Sequence, residues 1–512
     1  MNRGVTKRGT ASAARVGIGL FAALGLVACT AGPIFGPPDG QNAVQEPVAF
    51  ETPLPIPPLA ESEVVDGVRV FSLTAGEGSM EFKDGQVTPT WGFNGDYLGP
   101  TLRAQRGERV AVEVKNELPE TTTVHWHGMH LPAAMDGGPH QPVEPGRTWR
   151  PTWVVDQPAA TLWYHPHPHG ETEKHVYRGL AGMFIVDDEA AGSSGLPNRY
   201  GLDDIPVIVQ DKRFRADGEL DLDSQGNEVG LLGRSIVTNG AIGAVQQVTT
   251  ELVRLRLLNG STARTYDFAF DDGRSFDLVG TDGGLLEAPY PTDHVRLSPG
   301  ERAEIVVRLE PGTETMLRSV PPDLGAIAVP AAYGGTDTFD VLLLRAAETL
   351  EPSTPVADRF GTIERWRERD AEVIRTFDVQ GRDINGRRMD PGRIDEVVSV
   401  GTTEMWEVTN LDLFPHNWHV HDVQFQVLDI DGDAPPPELM GWKDTVYLEP
   451  RRVYRLMMRF EDYVDEEAPY MFHCHLLLHE DEGLMGQFVV TDGSPSRNTR
   501  SLPDVDGHDS GH

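Results

Sequence analysis

Four short groups of metal-ligating side chains dominate the chemistry available to this 512-residue sequence. The densest is His473-Cys474-His475, with His479 four residues beyond the second histidine. On an extended strand alternate residues face opposite sides, so the triplet points two imidazoles one way and a thiol the other. Two His-x-His pairs, His125/His127 and His165/His167, lie far upstream, and a third cluster reads His416-Asn417-Trp418-His419-Val420-His421. Ten of the 17 histidines and Cys474 thus fall into four groups. A thiolate with two imidazoles suits a copper electron-transfer site. A zinc hydrolase needs three or four ligands and an open position, and leaves most of these histidines without a role. His130, His140, His169, His175, His294, His508 and His512 stand outside the groups.

The elements that must carry these groups repeat three times. An Asn-Gly turn recurs at Asn94-Gly95, Asn239-Gly240 and Asn385-Gly386. After each comes an alternating strand that ends in asparagine: Val110–Asn116, Val253–Asn259 and Met405–Asn410. Proline-led turns follow at Pro145-Gly146, Pro299-Gly300 and Pro450-Arg451. The repeat predicts three equivalent β domains, and short alternating strands between Gly and Pro turns predict Greek-key sandwiches. The expected fold class is therefore all-β. Helical signal is sparse. Ile363–Arg369 reads as one short helix or as a charged, solvated linker.

In order and spacing the four groups resemble the multicopper oxidases. The likeness extends to His125-Trp126-His127-Gly128 running to Asp136-Gly137-Gly138-Pro139, to Trp163–His167 and to Trp442-Lys443-Asp444-Thr445-Val446. The resemblance implies three cupredoxin-like domains, at about 61–190, 195–350 and 372–493, with the middle one as a spacer. It implies four copper ions. His416, Cys474 and His479 match the ligands of a type 1 copper, and His125 and His419 those of a type 2 copper. His127, His165, His167, His421, His473 and His475 match the ligands of a type 3 pair. It further implies that an electron taken from a donor passes from Cys474 to its two histidine neighbours, that dioxygen is reduced to water, and that Asp136 and Glu480 supply protons. Asp136 as a turn cap and Glu480 as a hydrogen-bond partner of the ligands are the plainer alternatives.

Two positions depart from the commoner bacterial pattern. Asn417 stands where proline usually follows the first histidine, which implies a less rigid local backbone. Leu484 occupies the axial position, with Met485 adjacent as a shifted alternative. A methionine-rich insertion is absent, although the chain holds 13 methionines. Cuprous ion and phenolic or aromatic-amine donors are the expected substrates, with Asp412, four residues before His416, at the mouth. A copper nitrite reductase-like enzyme and a non-catalytic copper-binding cupredoxin protein are the alternatives. The first lacks the His-Cys-His triplet, and the second should have lost ligands.

The formal charge of −35 argues against nucleic acid and anionic lipid surfaces as partners. Residues 1–28 combine Arg3, Lys7, Arg8 and Arg15 with an apolar run too short to span a bilayer, which reads as an export signal. Leu26-Val27-Ala28-Cys29 resembles a bacterial lipobox. That implies a lipid on Cys29, anchorage at the outer face of the cell membrane and a flexible tether over 29–60. The only other cysteine, Cys474, is read as a metal ligand, so no disulfide is expected. Residues 494–512 are polar and read as a disordered tail. The protein is expected to be a monomer.

Overall fold

The computed structural model describes residues 45–493 and the backbone of Arg500–Ser501. The expected signal and Cys29 lie outside the described residues, as do His508 and His512. The fold is all-β, and each copy of the repeat is built around one pair of parallel strands: Val68–Lys83 with Arg109–Asn116, Asp204–Lys212 with Leu252–Asn259, and Val373–Gln380 with Thr403–Asn410.

The repeated asparagines explain why the three copies share this form. Asn94, Asn239 and Asn385 take positive φ of 57°, 50° and 53°. This left-handed conformation costs asparagine less than most residues. Each side chain bonds back to the first strand of its pair: Asn94 to Thr74 N–H and Ser72 O, Asn239 to Ile208 N–H and Pro206 O, Asn385 to Asp378 N–H and Thr376 O. The strand-ending asparagines form a second buried set. Asn116, Asn259 and Asn410 each donate two bonds from Nδ2 to backbone carbonyls and accept one from the amide two residues on.

Each copy closes on its own apolar core. The first is centred on Phe71, Val112, Trp126 and Phe184, the second on Val207, Leu255, Phe268 and Leu317, the third on Phe377, Trp406, Phe472 and Phe488. A four-stranded sheet in the first sandwich carries His125–His127 at its edge, paired antiparallel to Ala160–His165. In the third, His416–Val420 pairs with Asp465–His473, which places His419 opposite His473.

Two expectations change. The segment from Gln45 to Ala60 is packed rather than free: Thr52–Pro53 pairs with Ala244–Val245 of the middle sandwich, and Leu54 is buried in that core. An apolar residue placed between prolines can lie along a sheet edge even though proline donates no hydrogen bond. Ile363–Arg369 is the charged linker rather than a helix, with Glu364, Arg365 and Arg367 exposed and two apolar side chains docked. Ile363 is buried, Trp366 meets Trp442 edge-on at 5.2 Å, and only Glu368–Asp370 makes a 3₁₀ turn. Of the expected tail only Arg500–Ser501 is described, its backbone paired with Arg393–Ile394, and the rest of 494–512 lies outside the described residues.

Candidate metal centre

The four groups of the sequence meet as two buried sites. His416, Cys474 and His479 form one. Cys474 Sγ lies 3.5 Å from His416 Nδ1 and 3.4 Å from His479 Nδ1, and the two nitrogens are 3.0 Å apart. The far nitrogens are tied outward, His416 Nε2 to Asp412 at 2.9 Å and His479 Nε2 to the Glu228 carbonyl at 2.7 Å. Asp412 therefore touches a ligand of this site directly. Burial acts to raise its carboxyl, but the His416 hydrogen bond and the Gly381 N–H outweigh this and hold it below the ordinary value.

The remaining eight histidines divide into two triads and a pair. One triad is His127, His165 and His475, the other His167, His421 and His473, and His125 with His419 lies between the two sandwiches. Each set draws on both the first and the third sandwich. Because Cys474 sits between His473 and His475, its two chain neighbours belong to different triads.

The outward nitrogens of these rings are nearly all engaged. His125 bonds to the Asp136 carbonyl, His419 to the Asp444 carbonyl, His165 to the Pro166 carbonyl and His473 to the Cys474 carbonyl. His421 Nδ1 donates to Asp136 Oδ2 at 2.7 Å, and His127 Nε2 to Asp444 Oδ1 at 3.0 Å. Such outward bonds fix which nitrogen carries the proton and turn a lone pair inward. Inward nitrogens then face one another at short range: 3.4 Å for His125 and His419, 3.4 Å for His165 and His475, 3.1 Å for His167 and His473. Facing lone pairs repel unless a cation lies among them.

Burial, reinforced by neighbouring histidines, pushes His127, His165, His167, His419, His421 and His475 well below the ordinary imidazole value, and His473 down to about 3. These seven rings are held in the neutral form, which can ligate a metal. Burial pushes the Cys474 thiol up to about 12, so only a bound cation makes it a thiolate at neutral pH. A soft sulfur, clustered buried imidazoles and a dry interior fit copper.

Asp136 and Glu480 are both buried beside the triads. Glu480 Oε1 stands 3.2 Å from His167 Nδ1 and Oε2 3.4 Å from His473 Nδ1, without hydrogen-bond alignment. Burial and Asp481 push the Glu480 carboxyl well above its ordinary value. Asn417, expected to loosen the chain, instead ties it: its N–H points at Cys474 Sγ at 3.5 Å and its Oδ1 accepts from His475 N–H. Leu484 shares the buried apolar cluster of Cys474, and its carbonyl accepts from Cys474 N–H. Met485 lines a cavity of about 440 Å³ on the other side with Arg393 and Asp395. The other described histidines join no group: His130 bridges Asp422 and Asp462, His140 bonds Gln487, His175 bonds Glu120, His294 bonds Asp267 and His169 is exposed.

Known proteins resemble this chain over most of its length. Profiles described as multicopper oxidase match residues 74–191, 211–315 and 357–494. A multicopper oxidase of Staphylococcus aureus is 35% identical over 83% of this chain and 89% of its own length. The chain belongs to the multicopper oxidase family. This multicopper oxidase is also 34% identical to the cell division protein FtsP of Escherichia coli, over 86% of this chain and 93% of that one. Among solved structures, a laccase-like multicopper oxidase from Ochrobactrum sp. matches with a TM-score of 0.79 at 34% identity, covering 86% of this chain and all of that one. The family implies copper, oxygen and a reducing donor.

Sequence reading missed the residues behind the ligands. Asp444, inside the Trp442–Val446 motif, holds His127 by its side chain and His419 by its carbonyl. Glu228 and Arg302 come from the middle sandwich and carry no ligand spacing to mark them.

Proposed function

We propose that the protein is an exported, lipid-anchored, monomeric multicopper oxidase that takes single electrons from cuprous ion or from phenolic and aromatic-amine donors and passes them to dioxygen. In this reading His416, Cys474 and His479 hold the type 1 copper and His125 and His419 the type 2 copper. His127, His165 and His475 hold one type 3 copper, and His167, His421 and His473 the other. When bound, the coppers supply one-electron oxidation of the donor and four-electron reduction of dioxygen to two waters. The observation that supports the reading is the complete and buried candidate ligand set, with Cys474 joined through the chain to one member of each triad.

The chain's own groups then have distinct tasks. Asp412 orients His416 through Nε2 and places a carboxylate beside the donor's path, where it attracts cations and can accept a phenolic proton. Glu480, whose carboxyl burial pushes upward, sets its oxygens 3.2 Å from His167 Nδ1 and 3.4 Å from His473 Nδ1, where it can hand on a proton. Asp136 orients His421 and offers a second carboxylate, Oδ1, 3.3 Å from His125 Nδ1. The apolar surroundings of Cys474 exclude water from the thiolate.

The likeness to cell division proteins favours a second reading, a copper-binding protein with a structural task. Copper loading followed by oxygen-uptake rates with cuprous, ferrous, manganous and phenolic donors separates the two. The oxidase reading expects four coppers per chain, uptake with cuprous and phenolic donors, no nitrite reduction, and loss of both uptake and the blue absorption in Cys474→Ser. Loaded protein without oxygen uptake overturns it in favour of the structural reading.

A further inference from the structure

The middle sandwich supplies no ligand, yet its turn Ser298–Arg302 reaches into the space between the two ligand-bearing sandwiches. Arg302 is fully buried and makes a paired contact with Asp444, Nη1 to Oδ1 at 2.7 Å and Nη2 to Oδ2 at 2.6 Å. Its Nε donates to the Thr161 carbonyl of the first sandwich at 2.9 Å. Asp444 in turn holds His127 of the first sandwich and His419 of the third. One middle-domain guanidinium therefore sits behind a ligand from each of the other two sandwiches.

The rest of the turn is fitted to the same site. Gly300 has φ of +87°, and a Cβ there would meet His475 Nδ1 and Cε1 at 3.1 Å and His127 Cε1 at 3.2 Å. Those rings belong to one triad. The Pro299 carbonyl accepts from Asn417 Nδ2 at 3.0 Å, and Asn417 is the residue that touches both Cys474 and His475. Glu301 and Asp282 pair with buried Lys443, next to Asp444, at 2.7 and 3.1 Å.

We propose that this turn is the positioning element of the oxygen-reducing site, and that Arg302 is a positioning residue for His127 and His419. The expected spacer is a third wall of the site. The proposal rests on the reading that the triads and the His125/His419 pair hold copper. A paired, charge-assisted contact fixes direction as well as distance, so Asp444 cannot rotate its carboxylate away from His127 without breaking two bonds. Outer partners of this kind govern metal affinity about 10–100-fold. Lysine keeps the charge but not the fork, and so cannot restore the orientation.

The test loads wild type, Arg302→Lys, Arg302→Met and Gly300→Ala with copper. It reads metal per chain, the type 2 resonance signal and the blue absorption, and follows the unfolding of the copper-free proteins separately. Wild type is expected to hold four coppers. The variants are expected to fold and keep the blue absorption of the Cys474 site; the Arg302 variants lose at least half of the type 2 signal with a matching fall in copper, and Gly300→Ala, which crowds His127 and His475, holds at least one copper fewer per chain. Gly300→Ala leaves every charge pair in place, so it carries the test if the loss of a buried arginine prevents folding. Variants that match wild type in copper content and type 2 signal overturn the proposal. So does equal loss of the blue and type 2 signals, which marks general destabilisation. Wild type that binds one copper overturns the copper reading itself and the proposal with it.

Discussion

Leu484 and Met485 are adjacent in sequence and lie on opposite sides of the chain, one with Cys474 and the other against a separate cavity. A thioether stabilises oxidised copper more than a carbon side chain does, so Leu484→Met is expected to lower the reduction potential of the type 1 site, while Met485→Leu leaves it unchanged. Redox titration of the blue band checks both, and a shift in Met485→Leu alone would place the methionine at the copper. Asp412→Asn is expected to cut kcat/KM several-fold for cuprous ion and less for a neutral donor. Equal kinetics for both donors would reduce Asp412 to a partner of His416. The ligands themselves were legible because their types and spacing are rare. Their supports were not, since a partner such as Asp444 is 317 residues from the histidine it holds and is an ordinary aspartate in sequence.

At the scale of elements the repeated asparagines made the architecture readable. Each one performs the same hydrogen bonding in three different cores, so the sequence pattern reflects a local geometric need. Asn259→Ala removes two donated bonds and leaves the Arg264 and Leu297 carbonyls unsatisfied inside the protein. A loss of about 2–4 kcal/mol is expected, measured by denaturant unfolding, where a change within error would show that relaxation or water replaces the side chain. The strand Thr52–Pro53 was not legible, because a proline-rich segment carries the same composition whether it is free or laid along a sheet. The middle sandwich was read as a spacer for a related reason: buried ion pairs such as Arg302 with Asp444 have no periodicity.

Taken whole, the molecule concentrates neutral imidazoles in its interior, and this sets its response to acid. Nine of them, His127, His165, His167, His416, His419, His421, His473, His475 and His479, are pushed below the ordinary value. An unfolded chain protonates these near pH 6.5, about the ordinary imidazole value, so below that pH the unfolded state binds more protons and stability falls with pH. Glu173 and Asp481, raised to about 7, Asp282, raised to about 6, Glu480 and the raised His130 act in the opposite sense, since the folded state takes their protons first. Among the imidazoles, which titrate in this interval, ten are lowered once His175 is added, against two raised, His130 and His294. The copper-free protein is expected to melt at progressively lower temperature from pH 7.5 to pH 5, and a flat or rising Tm over that interval would contradict the balance. The split of every oxygen-site group between the first and third sandwiches reaches further still. During synthesis the first sandwich emerges with four of the eight histidines of these groups, His125 with His127 and His165 with His167, and completes none of the three sets. The other four arrive about 300 residues later. If these sets hold copper as proposed, a product arrested after the middle sandwich lacks a complete site for it.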